Sequence, residues 1–266
     1  MPGLEFSVSK LKLTIGYSSL AERADEIQLP ALRQNTEILI AVQGGQIDFL
    51  ERDDVRIIYL DTLGAAKSRN EIIKQAKGEI VIFGDDDMRW KEEGITEILE
   101  RFSQDSSLDL ILSQSENEYG VLRKKYSKKQ TSLSRFNSAK AATYEIAIRL
   151  SSFRDKNIFF HEDFGAGEKN YIGDEFIFIS EACNADLNCQ FIPITIAMHP
   201  SYSSGMKFGT LKDTQARACA IHQVFGKFSL FARLGFVLKN PLRFKSLLLT
   251  LRFIFLWFPE TRDQGY

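Results

Sequence analysis

Residues 79–90 read EIVIFGDDDMRW: a short apolar run that ends on three consecutive aspartates, Asp85, Asp86 and Asp87. The apolar part is continuous rather than alternating, and it has the length of a strand. That pattern predicts a strand covered on both faces. Its neighbours alternate in period. KLKLTIGYSS (10–19), TEILIAVQGG (36–45), VRIIYLD (55–61) and LDLILSQ (108–114) read as strands. LAERADEIQLP (20–30), GAAKSRNEIIKQAKG (64–78) and EEGITEILERFSQD (92–105) read as helices, with Gly78 as the expected C-cap of the second. Strands alternating with helices over roughly the first 115 residues predict an α/β fold with a parallel, doubly wound sheet.

Composition narrows the class. Hydrophobic residues make up 44% of the 266 and charged residues 26%, as in ordinary globular proteins. The formal net charge of −1 gives no global attraction to nucleic acid, and no nucleic-acid partner is expected. Three cysteines without a CxxC pair argue against a disulfide framework or a zinc ribbon and fit a reducing, cytoplasmic compartment. The N-terminal stretch has no long apolar core after a basic start, so no signal peptide is expected. RKKYSKKQTSLSR (123–135) is the most linker-like segment and reads as a solvated loop or one lying over a site.

In an open α/β sheet, ligands bind beyond the carboxyl ends of the strands. The three aspartates stand at such an end. Adjacent carboxylates oppose one another's ionisation, and a divalent cation relieves that, because hard oxygen donors suit Mg²⁺ or Mn²⁺. Helix capping would explain one of the three.

Three further stretches give the aspartates a context: GAAKSRN (64–70), FGAGEKNYIGDEFIF (164–178) and IPITIAMHPSYSSG (192–205). With them, over roughly residues 10–205, the sequence resembles glycosyltransferase family 2 and its relatives, the nucleotide-sugar transferases of GT-A fold. The resemblance implies a Rossmann-like, mostly parallel sheet with helices on both faces. It implies a Mn²⁺ or Mg²⁺ ion held by Asp87 with Asp85 assisting, and His199 as a further ligand or phosphate contact. Asp85 and Asp86 would face the donor, Arg69 its diphosphate or its base with Lys67 joining it, and Gly167 its sugar. Glu175 is the implied general base and Asp174 the runner-up. The alternative for this pair is a helix N-terminus decorated with acids. The implied reaction moves a sugar from a nucleotide diphosphate, UDP by default, to a glycan or lipid-linked acceptor, with inversion, in surface polysaccharide or glycolipid synthesis.

The departures from the family bear on the nucleotide. Gln43 in AVQGGQID stands where an acidic residue meets the nucleobase, and an amide can both donate to and accept from a base edge. IGYSSL has Gly16 and Ser19 in place of a proline and an asparagine. These changes keep open a non-catalytic interaction protein on a degenerate GT-A fold. A HAD-type phosphatase also places D-x-D after a buried strand, although MRW from residue 88 does not continue its motif.

The expected domains are 1–235, with a nucleotide-binding half at about 10–115 and an acceptor-binding half at about 116–210, and a C-terminal basic, aromatic helical extension at 236–266. In KNPLRFKSLLLTLRFIFLWFPE (239–260), Asn240 is the expected N-cap, Pro241 the first helical residue and Pro259 the stop. The apolar run is too short for a clean span. Two readings remain: a helix at the membrane interface, peripheral on the cytoplasmic face, or one packed on protein.

Overall fold

The computed structural model describes residues 12–48, 52–201, 209–241 and 243–256. The run at 79–90 lies at the centre of its sheet. Among the described residues the strands are β1 (Leu13–Leu20), β2 (Thr36–Gln43), β3 (Val55–Leu60), β4 (Ile80–Asp85), β5 (Arg89–Trp90), β6 (Leu110–Glu116), β7 (Thr131–Ser132), β8 (Ile146–Arg149) and β9 (Cys189–Met198). Their order is β3-β2-β1-β4-β8-β6-β9-β5, with β7 on β9. The β3-β2-β1-β4 half and the β6–β9 pair are parallel. β8 enters antiparallel between β4 and β6.

Helices cover both faces, and the strands divide their side chains between them with a period of two. Ile38, Ile40 and Val42 of β2 and Ile80 and Ile82 of β4 join one core, with Ile95, Ile98 and Phe102 of α2 (Glu92–Gln104). Leu39, Ala41, Val81 and Phe83 join the other. There they meet Ile72 and Ile73 of α1 (Ala65–Gln75), Phe153 of α3 (Leu150–Asp155) and Phe178 of α4 (Asp174–Asn184). This two-sided burial is why β4 carries no polar side chain before Asp85. Phe178 stacks on Phe160 at 4.0 Å and on Phe153 at 5.0 Å, which fixes α4 against the sheet.

Gly94 lets α2 lie directly on β9: a Cβ there would come 2.4 Å from Thr195 O. β9 in turn carries His199 at its end.

Several local expectations change. The stretch 20–30 forms a 3₁₀ turn, Ala21–Glu26, not an α-helix. α1 ends at Gln75, where Ala76 N–H closes on Ile72 O at 2.8 Å, so Gly78 lies beyond the helix rather than capping it. YEIAIRLSSFRDKNIFF (144–160) is extended only over β8; Leu150 and Phe153 then dock into the core as a helix.

The C-terminal part forms α5 (Leu211–Phe225), α6 (Ser229–Lys239) and α7 (Leu247–Phe255). The single helix expected from Asn240 is instead a break between two. Asn240 closes α6, its Nδ2 donating back to Phe236 O at 2.9 Å, and Ser246 caps α7 by accepting from Leu249 N at 3.2 Å. Trp257, Phe258 and Pro259 lie outside the described residues, as do positions 202–208 of the HPSYSSG stretch. The inner sides of α6 and α7 pack on α5 through Phe236, Phe253 and Ile254, joined by Phe244 from the connection between them. Arg233 is buried and donates to Ile254 O at 2.9 Å, tying α6 to the end of α7.

Candidate active site

β4 delivers the aspartates to the carboxyl edge of the sheet, and the nearest cationic partner differs for each, although Arg23 also comes within 3.8 Å of Asp87. Asp85 pairs with Arg69 at 3.1 Å. Asp86 accepts from Ser19 Oγ at 3.1 Å and pairs with Arg23 at 2.6 Å. Asp87 lies 3.2 Å from His199 Nε2. The β5–β9 ladder, with Arg89 opposite Met198, brings the turn before β5 alongside the residues after β9, so that Asp87 reaches His199 diagonally.

The electrostatics separate the three. Burial pushes the Asp86 carboxyl up to about 6 against the pull of Arg23 and Ser19. The His199 hydrogen bond holds Asp87 below the ordinary carboxylate value. Burial opposes a charged His199 imidazole, but Asp87 and the Pro200 carbonyl outweigh it and raise the imidazole pKa. His199 is further fixed by stacking on Tyr144 at 4.7 Å and by Arg123, which donates to His199 O at 2.8 Å and to Pro200 O.

Arg69 joins two elements. Its buried guanidinium pairs with Asp85 and, at 2.5 Å, with Asp174, the first residue of α4. Asp174 is itself buried; desolvation and the neighbouring Glu175 raise its pKa, and Arg69 acts in the opposite sense. Glu175 is less enclosed and accepts from Thr143 Oγ1 at 2.7 Å. The acid pair is therefore split into one carboxylate held by a cation and one held by a hydroxyl. Asn70 holds backbone, donating to Phe160 O at 2.9 Å and accepting from Phe160 N at 2.8 Å.

The glycine loop seats itself on the start of α1. Ala65 N donates to Ala166 O at 3.0 Å. Gly64 and Gly167 both take positive φ, and a Cβ on Gly167 would lie 3.4 Å from Gly64 Cα. That close approach, and the left-handed backbone, favour glycine at both. Lys67 pairs with Glu168 at 3.0 Å, across this contact. Gln43 is buried, and its amide donates to Thr62 O at 2.7 Å and Gly64 O at 3.1 Å. Its donor side is committed to the turn that starts α1.

Gln43, Arg69, Asp85, Asp86, Asp87, Gly167, Asp174, Glu175 and His199 all line one cavity of about 1560 Å³. Lys67 is not among its lining residues and stands behind the loop. Sequence reading missed Arg23, Thr143, Tyr144 and Arg123. It also missed Glu145, a buried carboxylate that accepts from Ser115 Oγ, Tyr126 OH, Lys124 Nζ and Ala142 N. This network anchors Lys124 and Tyr126, and with them part of the basic 123–135 stretch. Lone polar residues in ATYE carry no pattern that would have marked them.

Among the described residues, Asp87 and His199 are a pair that could hold a divalent ion between them. A carboxylate with an imidazole suits Mn²⁺ better than the harder Mg²⁺, with diphosphate oxygens and water completing the shell. Asp85 and Asp86 are turned to arginines. Among the described residues no group of three His, Cys, Asp or Glu side chains is arranged to hold a metal by itself.

The model of the family described as Glycosyl transferase family 2 matches residues 36–162. That segment contains the aspartates and Arg69; Asp174, Glu175 and His199 follow it. Similar solved structures include S. aureus TarS residues 1–349 in complex with UDP-GlcNAc, at 15% identity and TM-score 0.55, covering 87% of this chain and 77% of that one. A longer S. aureus TarS matches at 16% identity and TM-score 0.54, covering 79% and 40%. The mannosyltransferase PcManGT from Pyrobaculum calidifontis, in complex with GDP-Man and Mn²⁺, matches at 13% and 0.52, covering 83% and 64%. This chain thus spans 40% of the longer TarS chain and 64% of the mannosyltransferase. At these identities the likeness is one of fold, the GT-A glycosyltransferase fold. A search of curated protein sequences finds no match.

Proposed function

We propose that this chain, similar to glycosyl transferase family 2 over residues 36–162, transfers a sugar from a nucleotide diphosphate donor to an acceptor hydroxyl with inversion. The observation that carries this reading is convergence: β4, α1, the glycine loop, α4 and the end of β9 bring acids, a buried arginine and a histidine to one cavity at the carboxyl edge of the sheet.

Glu175 takes the proton as the acceptor oxygen attacks the anomeric carbon. The bond from that carbon to the diphosphate breaks, and its electron pair leaves with the nucleoside diphosphate. One displacement needs one base and no protein nucleophile, and it inverts the centre. Asp174 positions the start of α4 through Arg69, and Asp85 and Asp86 line the donor side. A divalent ion at Asp87 and His199 would offset the charge gathering on the leaving diphosphate. Gln43 and Gly167 lie where the nucleoside and donor sugar enter, and Lys67 supports the loop through Glu168. The donors named for the similar structures put UDP- and GDP-sugars first for testing, and the pathway that fits is surface polysaccharide or glycolipid synthesis. The check is release of UDP or GDP from their labelled sugars with Mn²⁺ present. Turnover with one nucleotide class is expected; none with UDP-, GDP- or dTDP-sugars would contradict the reading.

The C-terminal helices add a membrane surface to this proposal. α6 exposes Leu230, Phe231, Leu234 and Leu238, and α7 exposes Leu247, Leu248, Leu251 and Phe255. The spacing i, i+1, i+4, i+8 is the same on both, so each helix keeps one apolar face outward while its other face packs on α5. Residues 214–259 contain seven Lys or Arg and no Asp or Glu, in a chain of net charge −1. An apolar face in cationic surroundings suits the surface of an anionic bilayer. Among the described residues no helix is long and apolar enough to cross one. The protein is therefore expected to float with phosphatidylcholine vesicles containing phosphatidylglycerol, and Leu238→Glu with Leu247→Glu is expected to stay in the soluble fraction. Equal flotation of both proteins would count against this surface.

A further inference from the structure

The cavity is larger than a donor requires. Small-molecule sites typically enclose roughly 300–1,000 Å³, against about 1560 Å³ here. One part of its lining, the arm, comes from elements that carry none of the cavity's acids. Its walls are Phe136, from the segment before β8, and Phe225, Phe228, Phe231 and Phe236 from the α5–α6 region. The two walls meet where Phe136 lies 5.4 Å from Phe225.

The acids of this cavity are confined to one part of it, where Arg23 and Arg69 pair with them. Its acids, Asp85, Asp86, Asp87, Asp174 and Glu175, stand at the sheet edge. The arm carries cations instead. Arg135 lies 6.0 Å from the Phe136 ring and 5.9 Å from the Phe225 ring, Arg243 lies 5.5 Å from the Phe236 ring, and Lys239 lines the same wall. Phe231 belongs both to this lining and to the exposed face of α6, where it is 70% accessible. The arm therefore opens onto the apolar surface described above rather than onto polar solvent alone.

We infer that the arm is the acceptor site, and that the acceptor is an anionic lipid whose apolar chain lies among these phenylalanines while its charged head meets Arg135, Lys239 and Arg243. The inference rests on the transferase reading of the same cavity. It narrows the acceptor from a glycan or lipid-linked molecule to an amphiphile that enters from a bilayer. The apolar chain matches the aromatic wall by burial, and the anionic head matches a wall whose described lining residues include cations and no acids.

Dodecyl phosphate, titrated calorimetrically below its micelle-forming concentration, is the probe. The expected result is saturable binding, none by inorganic phosphate, and binding of neutral-headed dodecyl maltoside roughly 10-fold weaker, as loss of a charge-assisted contact predicts. Phe136→Ser and Phe231→Ser remove rings that are 81% and 70% accessible, so the fold tolerates both, which circular dichroism checks. Each is expected to weaken dodecyl phosphate roughly 10-fold. Unchanged affinity in both variants, or equal affinity for the maltoside or a neutral oligosaccharide, overturns the inference. Vesicles identify the source: dodecyl phosphate binding without flotation on phosphatidylglycerol-containing vesicles overturns delivery from a bilayer. UDP and GDP titrated into the same samples separate the two failures. Nucleotide binding without dodecyl phosphate binding removes the acceptor arm, whereas the reverse removes the donor site.

Discussion

Glu175→Gln is expected to lower the rate of sugar transfer by about 10²- to 10⁴-fold, the range that a positioned general base contributes. The choice of Glu175 over Asp174 comes from their partners. Asp174 is buried against Arg69 at 2.5 Å, a contact that leaves it little freedom to collect a proton from an acceptor. Glu175 is one residue further into α4, lines the cavity and is oriented by the Thr143 hydroxyl at 2.7 Å. Glutamine keeps the shape and can still accept from Thr143, so the loss should appear in kcat with nucleotide affinity little changed. Asp174→Asn provides the contrast. If Asp174 were the base, its variant would lose turnover and Glu175→Gln would retain most of it, and side-by-side kcat measurements distinguish the two.

Arg69→Met is expected to be the most destabilising single change at the site. The guanidinium is 6% exposed and pairs with both Asp85 and Asp174. Removing one partner of a buried ion pair costs about 3–5 kcal/mol, because the remaining charge stays buried without compensation. For a chain of this size that lowers Tm by on the order of 10 °C. The sign of the pH dependence follows from Asp174. Its folded pKa is raised by burial and by Glu175, and Arg69 is the group that holds it down. Without Arg69, a folded state that prefers the neutral acid gains stability as pH falls through the raised folded value and loses it as pH rises. The deficit of Arg69→Met should thus be smaller at pH 5 than at pH 8. Thermal melts at the two values test this; an equal deficit at both would mean that Asp174 is not the destabilised group.

Much of this architecture was legible because it depends on local pattern. A strand buried on both faces must be apolar throughout, so EIVIFG announced the centre of the sheet and placed Asp85–Asp87 at its edge. Gly64 and Gly167 showed as glycines because their backbone and their mutual approach leave little room for a side chain. The partners of the aspartates were not legible. Arg23 comes from a 3₁₀ turn more than sixty residues upstream, and His199 meets Asp87 only because β5 pairs with β9. Such contacts are fixed by tertiary register, which leaves no trace in local periodicity. The antiparallel entry of β8 was hidden for the same reason. The C-terminal break was missed through a competition between two caps: Asn240 and Ser246 are both good cap residues, and only the packing of Phe244 and Phe253 onto α5 decides which one starts a helix. The exposed faces of α6 and α7 were hidden in sequence because the opposite faces are also apolar, so no polar stripe marks them.

The most direct test of the central claim is calorimetric titration of UDP, GDP and dTDP with and without Mn²⁺, on the wild-type protein and on Asp87→Ala. Asp87 is the aspartate beside His199, and its side chain is 38% accessible, so the variant should remain folded. The account predicts that one nucleotide binds the wild type, that Mn²⁺ tightens it, and that the Mn²⁺ dependence disappears in Asp87→Ala. Folded wild-type protein that binds none of the three, with or without Mn²⁺, would contradict it.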